Sequence, residues 1–140
     1  MKVLLIAVAL VLVNNAMAQE IDGRFILKSG SSKCPQEIVA ISAIFSNRIE
    51  VLVETYYDSS STQKTYKSGS STIGKTVTET SVKGGVITEN IYKKTLLAKK
   101  LIHSQMIAIK PLSLSLGYDL ILQKNDVLSG EEIECKFVKL

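Results

Sequence analysis

Apolar and polar residues alternate along much of the chain beyond residue 20. In the stretch RIEVLVETYY, the apolar residues Ile49, Val51 and Val53 alternate with positions that include Glu50 and Glu54. A period of two residues is typical of a β-strand that buries one face and exposes the other. The stretch LSLSLGYDLIL, residues 112–122, keeps the same period throughout. Both stretches are therefore predicted to be half-buried strands.

Further strands are predicted where apolar or β-branched runs end at turn-forming residues. Gly84-Gly85 lies between TVTETSV and VITENIY, and Gly-Gly between two such runs indicates a β-hairpin. Ser46-Asn47 separates EIVAISAIF from RIEVLVETYY and indicates a second tight turn. The predicted strands are GRFIL, EIVAISAIF, RIEVLVETYY, TVTETSV, VITENIY, one or two around residues 94–109, LSLSLGYDLIL and IECKFV.

Two segments allow more than one interpretation. In KKTLLAKKLIHSQ the apolar residues recur at helical spacing, so a short helix near residues 94–103 competes with a strand that contains a bulge. The segment DSSSTQKTYKSGSSTIGK, residues 58–75, is rich in Ser, Thr and Gly and nearly free of large apolar residues. It fits a long mobile loop or a polar hairpin at the rim of a barrel.

Short strands joined in chain order by tight turns predict an all-β fold. The expected architecture is an antiparallel meander that closes into a small barrel of about eight strands. A β-sandwich built from the same strands is the alternative. A barrel of about eight strands has room for a filled core or for one small ligand.

The N-terminal residues have the features of a secretory signal peptide. Lys2 precedes an unbroken apolar run over residues 3–13, and Ala16-Met17-Ala18 is a small-x-small cleavage pattern. The apolar run is shorter than the roughly 20 residues that span a bilayer, so no integral membrane anchor is expected. The predicted organisation is a signal peptide over residues 1–18 and a single β-barrel domain over residues 19–140. The protein is expected to be exported, either to the periplasm or as a secreted protein.

Export would place the two cysteines, Cys34 and Cys135, in an oxidising compartment. In an oxidising compartment two cysteines in one small domain most often form a disulfide, and only one intramolecular pairing exists. That bond would tie the segment that follows the first strand to the last strand. A pair of free thiols, one of them catalytic, is the alternative, but the chain has no CxxC motif.

Charge and motifs give little support for catalysis, metal binding or nucleic-acid binding. Without Lys2 the chain carries sixteen basic and thirteen acidic residues, a net charge of +3, which does not indicate nucleic-acid binding. His103 is the only histidine and no GxSxG is present, so we predict no catalytic residue. One histidine and two paired cysteines cannot supply a zinc site, and no phosphate-binding loop occurs, so we expect no metal and no cofactor.

Lysines recur in pairs and could form a basic face for lipid headgroups, polysaccharide or nucleic acid. The aromatic residues do not interleave with these lysines, so an ordinary solvated face is the simpler interpretation. The lysines concerned are Lys75, Lys83, Lys93, Lys94, Lys99 and Lys100.

Gly23-Arg24-Phe25, in the first strand after the signal peptide, resembles the Gly-x-Trp entry of lipocalins. The cysteine that pairs the early chain with the last strand is similar to that of some lipocalin-like (calycin) barrels. Phe25 stands where that family has tryptophan. The resemblance implies an up-and-down β-barrel with an interior cavity. The overall layout also resembles small exported proteins of predatory Gram-negative bacteria.

Two hypotheses for function follow from these observations. The first is an exported, non-enzymatic β-barrel that binds a small apolar or amphipathic ligand, with ligand-binding residues unknown, and it requires a cavity above roughly 300 Å³. The second is an envelope or secreted protein-protein interaction module with a solid core and no ligand. Its partner would contact exposed apolar residues such as Leu52, Tyr56 and Ile121.

Overall fold

The computed structural model describes residues 22–109 and 117–140. Ten β-strands form the fold, and those described residues contain no helix. The predicted signal peptide, residues 1–18, lies outside the described part. The strands are β1 (Gly23–Gly30), β2 (Glu37–Phe45), β3 (Arg48–Tyr56), β4 (Ser61–Lys67), β5 (Gly69–Ile73), β6 (Thr76–Lys83), β7 (Val86–Lys94), β8 (Lys99–Ile109), β9 (Leu120–Asp126) and β10 (Glu131–Lys139).

The ten strands form one antiparallel sheet that curls into a nearly closed barrel. The strand order across the sheet is β4-β3-β2-β1-β10-β9-β8-β7-β6-β5. Neighbouring strands are also neighbours in sequence, except that β1 pairs with β10. The free edges are β4 and β5, which are consecutive in the chain and joined through Ser68. This architecture confirms the predicted all-β meander and barrel, with ten strands instead of about eight.

The tight turns follow the residues that the sequence marks for them. Ser46 and Asn47 both have positive φ, 42° and 71°, as a two-residue hairpin turn requires when its twist matches that of the flanking strands. Gly84 and Gly85 also have positive φ, 60° and 75°, between β6 and β7. The two predicted hairpins are therefore confirmed.

The core consists of side chains that alternate inward along the strands. Along β3 the inward positions Val51 and Val53 are buried, and Val51 is fully inaccessible. Phe25 and Phe137, from the paired strands β1 and β10, are also fully buried. The other members of this core are Cys34, Ile38, Ala40, Tyr66, Val82, Ile87, Ile107, Leu120, Leu122 and Cys135.

The predicted cysteine pair lies inside this core. The Sγ atoms of Cys34 and Cys135 are 2.00 Å apart, which is a disulfide distance, and their sequence separation is 101 residues. Each cysteine is at most 2% exposed. In the chain-entropy model, a bond that closes a loop of this length stabilises the fold by about 4–5 kcal/mol.

Of the two interpretations of residues 94–103, the short helix is wrong and the strand with a bulge is confirmed. Residues 95–98 form a hairpin turn and β8 begins at Lys99. The register of β7 against β8 shifts between Ile91 and Tyr92, so β8 contains a bulge. Leu96, Leu97 and Ala98 lie in the turn, and the bulge places Leu101 and the extra residue Ile102 next to each other, so together these residues give the apparent helical spacing. Leu96 and Leu97 are fully exposed, so no apolar helix face is buried here.

The segment of residues 58–75 is neither a mobile loop nor a hairpin. It contains β4 and β5, which pair with β3 and β6 respectively and not with each other. These two strands account for the difference between ten strands and about eight. In the predicted strand over residues 112–122, residues 112–116 lie outside the described residues, and the remainder is paired only from Leu120 onward.

Candidate functional site: a polar cup in the barrel interior

The two ends of the barrel differ in chemistry. We call the end that carries the turns at residues 46–47 and 84–85 the base, and the end that carries the turns at 74–75, 95–98 and 127–130 the rim. Inward residues near the base are apolar and include Phe25, Phe137 and Val82. Inward residues nearer the rim are largely polar. Apolar packing therefore closes the base, and polar groups surround the opening at the rim.

A cavity of about 330 Å³ lies between these two zones, and we call it the cup. Its apolar floor is formed by Val53, Ile107 and Leu122 from strands β3, β8 and β9. Its remaining lining is polar or aromatic and consists of Thr55, Tyr57, Thr62, Gln63, Lys64, Tyr66, Glu89, Gln105 and Lys124.

An ion pair crosses the cup from β4 to β7. The Lys64 Nζ donates hydrogen bonds to both carboxylate oxygens of Glu89, at 2.7 and 2.6 Å. Glu89 is 6% exposed and is the one buried charged residue in the part of the chain that the structure describes. The Lys64 side chain remains about half exposed. A buried carboxylate is costly unless it is paired, so Lys64 stabilises the charge of Glu89.

A second polar contact joins β4 to β8 beneath the ion pair. The Gln105 Nε2 donates a hydrogen bond of 2.8 Å to the hydroxyl oxygen of Tyr66. Burial raises the pKa of the Tyr66 phenol, and the hydrogen bond from Gln105 opposes that rise. The phenol therefore stays protonated at neutral pH and keeps a hydrogen to donate.

The cup extends into a seam between the edge strands β4 and β5. This seam is a second cavity of about 330 Å³, and it shares Lys64, Tyr66 and Glu89 with the cup. The Ser68 hydroxyl spans the base of the seam, where it accepts a 2.8 Å hydrogen bond from the Val82 amide. The barrel is therefore nearly closed at its base and open along the seam toward the rim.

A wider groove of about 590 Å³ lies on β7 to β10, lined mainly by outward-facing residues such as Asn90, Met106 and Gln123. Its acidic residues Glu132 and Glu134 are exposed. The cup is the better candidate site because polar groups from five strands meet there above an apolar floor, one of them a buried carboxylate.

The residues singled out in the sequence are dispersed across the structure. Cys34 and Cys135 lie in the core between β1 and β10, away from the residues that line the cup. His103 is half-buried on β8, opposite Asp126 in the register, and does not line the cup. Among residues 22–109 and 117–140, no group of three or more His, Cys, Asp or Glu side chains could hold a metal ion.

The residues that form the cup were missed because they come from five strands, β3, β4, β7, β8 and β9, that lie far apart in the sequence. A signal for them does exist in the alternation. Along β7 the inward positions Ile87, Glu89 and Ile91 place a carboxylate between two apolar residues. A charged residue at an inward position of a strand indicates a paired or ligand-binding group.

Neither a family model, nor a curated protein, nor a solved structure significantly matches this chain. Within the described residues no helix has the length and apolar character needed to cross a membrane. The disulfide-paired barrel is compatible with export.

Proposed function

We propose that the protein is an exported, non-enzymatic binding protein that holds one small amphipathic ligand in the cup. The observation that carries the proposal is the Lys64–Glu89 ion pair, which places a half-exposed lysine and a buried carboxylate above the apolar floor. The periplasm or the extracellular space is the proposed compartment, in line with the predicted signal peptide.

The lining of the cup supports a small amphipathic ligand. An apolar part would contact Val53, Ile107 and Leu122, and burying it contributes roughly 25 cal/mol per Å². A polar head would meet Lys64 and the Tyr66 hydroxyl. A volume of about 330 Å³ lies at the lower end of the range for small-molecule pockets. The ligand is therefore small, with one apolar side and one polar group.

The test is native mass spectrometry of protein purified from its own host. We expect a wild-type species that carries an additional small-molecule mass, and loss of that mass in Ile107→Trp, where the larger side chain fills the cup. Leu52→Trp is the matched control, because Leu52 alternates outward on β3 beside the inward Val53. The proposal would be rejected if wild type showed only the mass of the protein and also bound an amphipathic fluorescent probe no better than Ile107→Trp does.

A second candidate is an envelope or secreted interaction module. The observation that favours it is an apolar patch at the base, where Ile41, Ile44 and Phe45 are each more than half exposed. Of the residues predicted for such a surface, Leu52 and Tyr56 are partly exposed, whereas Ile121 is only 6% exposed and inaccessible to a partner. Chemical cross-linking in the host would test this candidate, with loss of a discrete adduct in Ile44→Ser/Phe45→Ser as the expected result.

A further inference from the structure

Two leucines occupy the tip of the hairpin between β7 and β8. Leu96 and Leu97 have exposed fractions of 104% and 99%, the highest of any large apolar residues in the described chain. β8 continues for several residues beyond its last pairing with β9, at His103 with Asp126. Four further residues of β8, one of them the bulge residue Ile102, place the tip on the order of 10 Å beyond the end of β9. The leucines therefore stand on a projection from the rim.

The hairpin tip is held in a defined conformation. The Thr95 amide donates a 2.7 Å hydrogen bond to the Ala98 carbonyl oxygen, and the Thr95 hydroxyl donates a second one of 2.9 Å to the same oxygen. The Lys94 amide also donates to the Lys75 carbonyl oxygen, at 2.7 Å, which ties the tip to the β5–β6 turn. Exposure of both leucines is thus a property of a hydrogen-bonded turn and would recur in every folded molecule.

Lysines surround these leucines. Lys93, Lys94 and Lys100 lie on the two strands of the hairpin, and Lys75 lies on the adjoining turn. Lys99 is directed along the outer face, where it contacts Glu79 and its Nζ lies 4.6 Å from the centre of the Tyr92 ring. Lys83, grouped with them in the sequence, belongs to the base end. Four lysines that form no ion pair with an acidic residue in the described chain therefore flank the two leucines.

We propose that this hairpin docks the protein on an anionic lipid bilayer. Leu96 and Leu97 would enter the boundary between headgroups and acyl chains, and the flanking lysines would contact anionic headgroups. Leu96 and three of the lysines, Lys75, Lys93 and Lys94, line one open depression of about 660 Å³, so apolar and cationic groups lie side by side, as the headgroup boundary of a bilayer requires. The charge favours an anionic bilayer, because cations border the apolar tip. A nucleic acid would use the lysines but gives no role to two aliphatic side chains.

Docking would also orient the molecule, because the mouth of the cup opens at the same end as the hairpin. A small amphipathic ligand could then pass between bilayer and cup. That consequence rests on the proposed function of the cup, whereas docking itself does not depend on it. Ile107→Trp should abolish ligand binding and leave docking unchanged, so the two proposals fail independently.

The test is co-sedimentation of the purified protein with phosphatidylcholine vesicles, with and without phosphatidylglycerol. We expect binding to the anionic vesicles and little to the neutral ones. Leu96→Ser/Leu97→Ser should weaken binding by at least on the order of tenfold, because two leucine side chains that would enter the bilayer are lost. Lys93→Gln/Lys94→Gln should weaken it by about tenfold, and added salt should have a similar effect.

Matched controls use the opposite end of the barrel. Ile44→Ser/Phe45→Ser changes an exposed apolar hairpin tip at the base, and Lys67→Gln/Lys83→Gln removes two lysines there. Both controls should bind as wild type does. Absence of binding to anionic vesicles overturns the proposal. The proposal is also overturned if Lys93→Gln/Lys94→Gln loses binding while Leu96→Ser/Leu97→Ser retains it. Binding through the lysines alone is the behaviour of a site for a polyanion such as a nucleic acid.

Discussion

Gly30 provides the space that the disulfide occupies. It pairs with Cys135 at the end of β1 and packs directly against Cys34. A Cβ atom at residue 30 would lie 2.5 Å from the Cys34 Sγ and 3.1 Å from the Glu134 carbonyl oxygen. Backbone and sulfur therefore leave no room for a side chain at this position. The Cys34–Cys135 disulfide therefore requires glycine, with no Cβ atom, at residue 30.

We expect Gly30→Ala to destabilise the protein through this contact. Gly69→Ala is the matched control, because Gly69 has nearly the same φ, 152° against 157°, but no atom within 4 Å of the added Cβ. Both variants carry the same backbone cost, so their difference reports the clash, which we expect to be about 1–3 kcal/mol. Urea unfolding measures both. Equal free energies of unfolding for the two variants would contradict this account.

A second residue-scale effect concerns Arg24 on β1 and Glu37 on β2. The Arg24 guanidinium donates two hydrogen bonds to the Glu37 carboxylate and thereby lowers the pKa of that carboxyl. A carboxyl with a lowered pKa in the folded state stabilises the fold above its unfolded pKa. This contribution is lost as the pH falls through the folded pKa.

Arg24→Gln should therefore lower the urea midpoint slightly at neutral pH, and the two midpoints should converge in acid below the folded pKa of Glu37. The effect is small because the Arg24 side chain is 59% exposed and water screens the pair. A carboxyl-carbon NMR titration should also show the pKa of Glu37 rising in the variant. Arg48→Gln, which removes the β3 ion pair with Glu50, should leave the Glu37 titration unchanged. An unaltered Glu37 titration in Arg24→Gln would refute the assignment.

At the scale of elements, the hairpins follow from local sequence and the seam does not. The β2–β3 and β6–β7 hairpins are predictable because alternation and turn residues lie together in the sequence. β4 and β5 are not, because Tyr66 is the one buried residue among their positions. Their extended conformation comes from backbone pairing with β3 and β6, which local apolar periodicity does not encode. The pairing of Lys64 with Glu89 is equally absent from local sequence, since the two residues meet only after the sheet curls.

Ser68→Ala should loosen the seam. The Ser68 hydroxyl accepts the hydrogen bond of the Val82 amide, and its removal leaves that amide without this acceptor. We expect a loss of about 1 kcal/mol in local stability. Amide hydrogen exchange should report it as faster exchange at Val82, with no change at Ile87 on the neighbouring strand. Ser70→Ala on exposed β5 is the control and should not change exchange at Val82. Unchanged protection of Val82 in Ser68→Ala would mean that the hydroxyl does not hold the seam.

The barrel as a whole depends on one long-range closure. Every strand pair except β1–β10 joins consecutive strands, so β1–β10 is the pairing with a high cost in loop-closure entropy. The Leu140 amide donates to the Arg24 carbonyl oxygen at 2.9 Å, which places the first and last described strands side by side at the base. By contrast, β4 and β5 are consecutive in the chain but do not pair. Opening the chain at Ser68 and linking residue 140 to residue 22 would therefore make every paired strand a sequence neighbour.

This circular permutant should refold faster than the wild-type order when both are reduced, because non-local closure limits the folding rate of β proteins. A permutant opened at Gly84-Gly85 is the control, since it separates the paired strands β6 and β7 and should lose that advantage. Stopped-flow refolding gives the rates. With the Cys34–Cys135 bond intact the advantage should shrink, because the disulfide already joins the region of β1 to β10 in the unfolded chain. Equal refolding rates for the reduced wild-type order and the Ser68 permutant would show that β1–β10 closure does not limit folding.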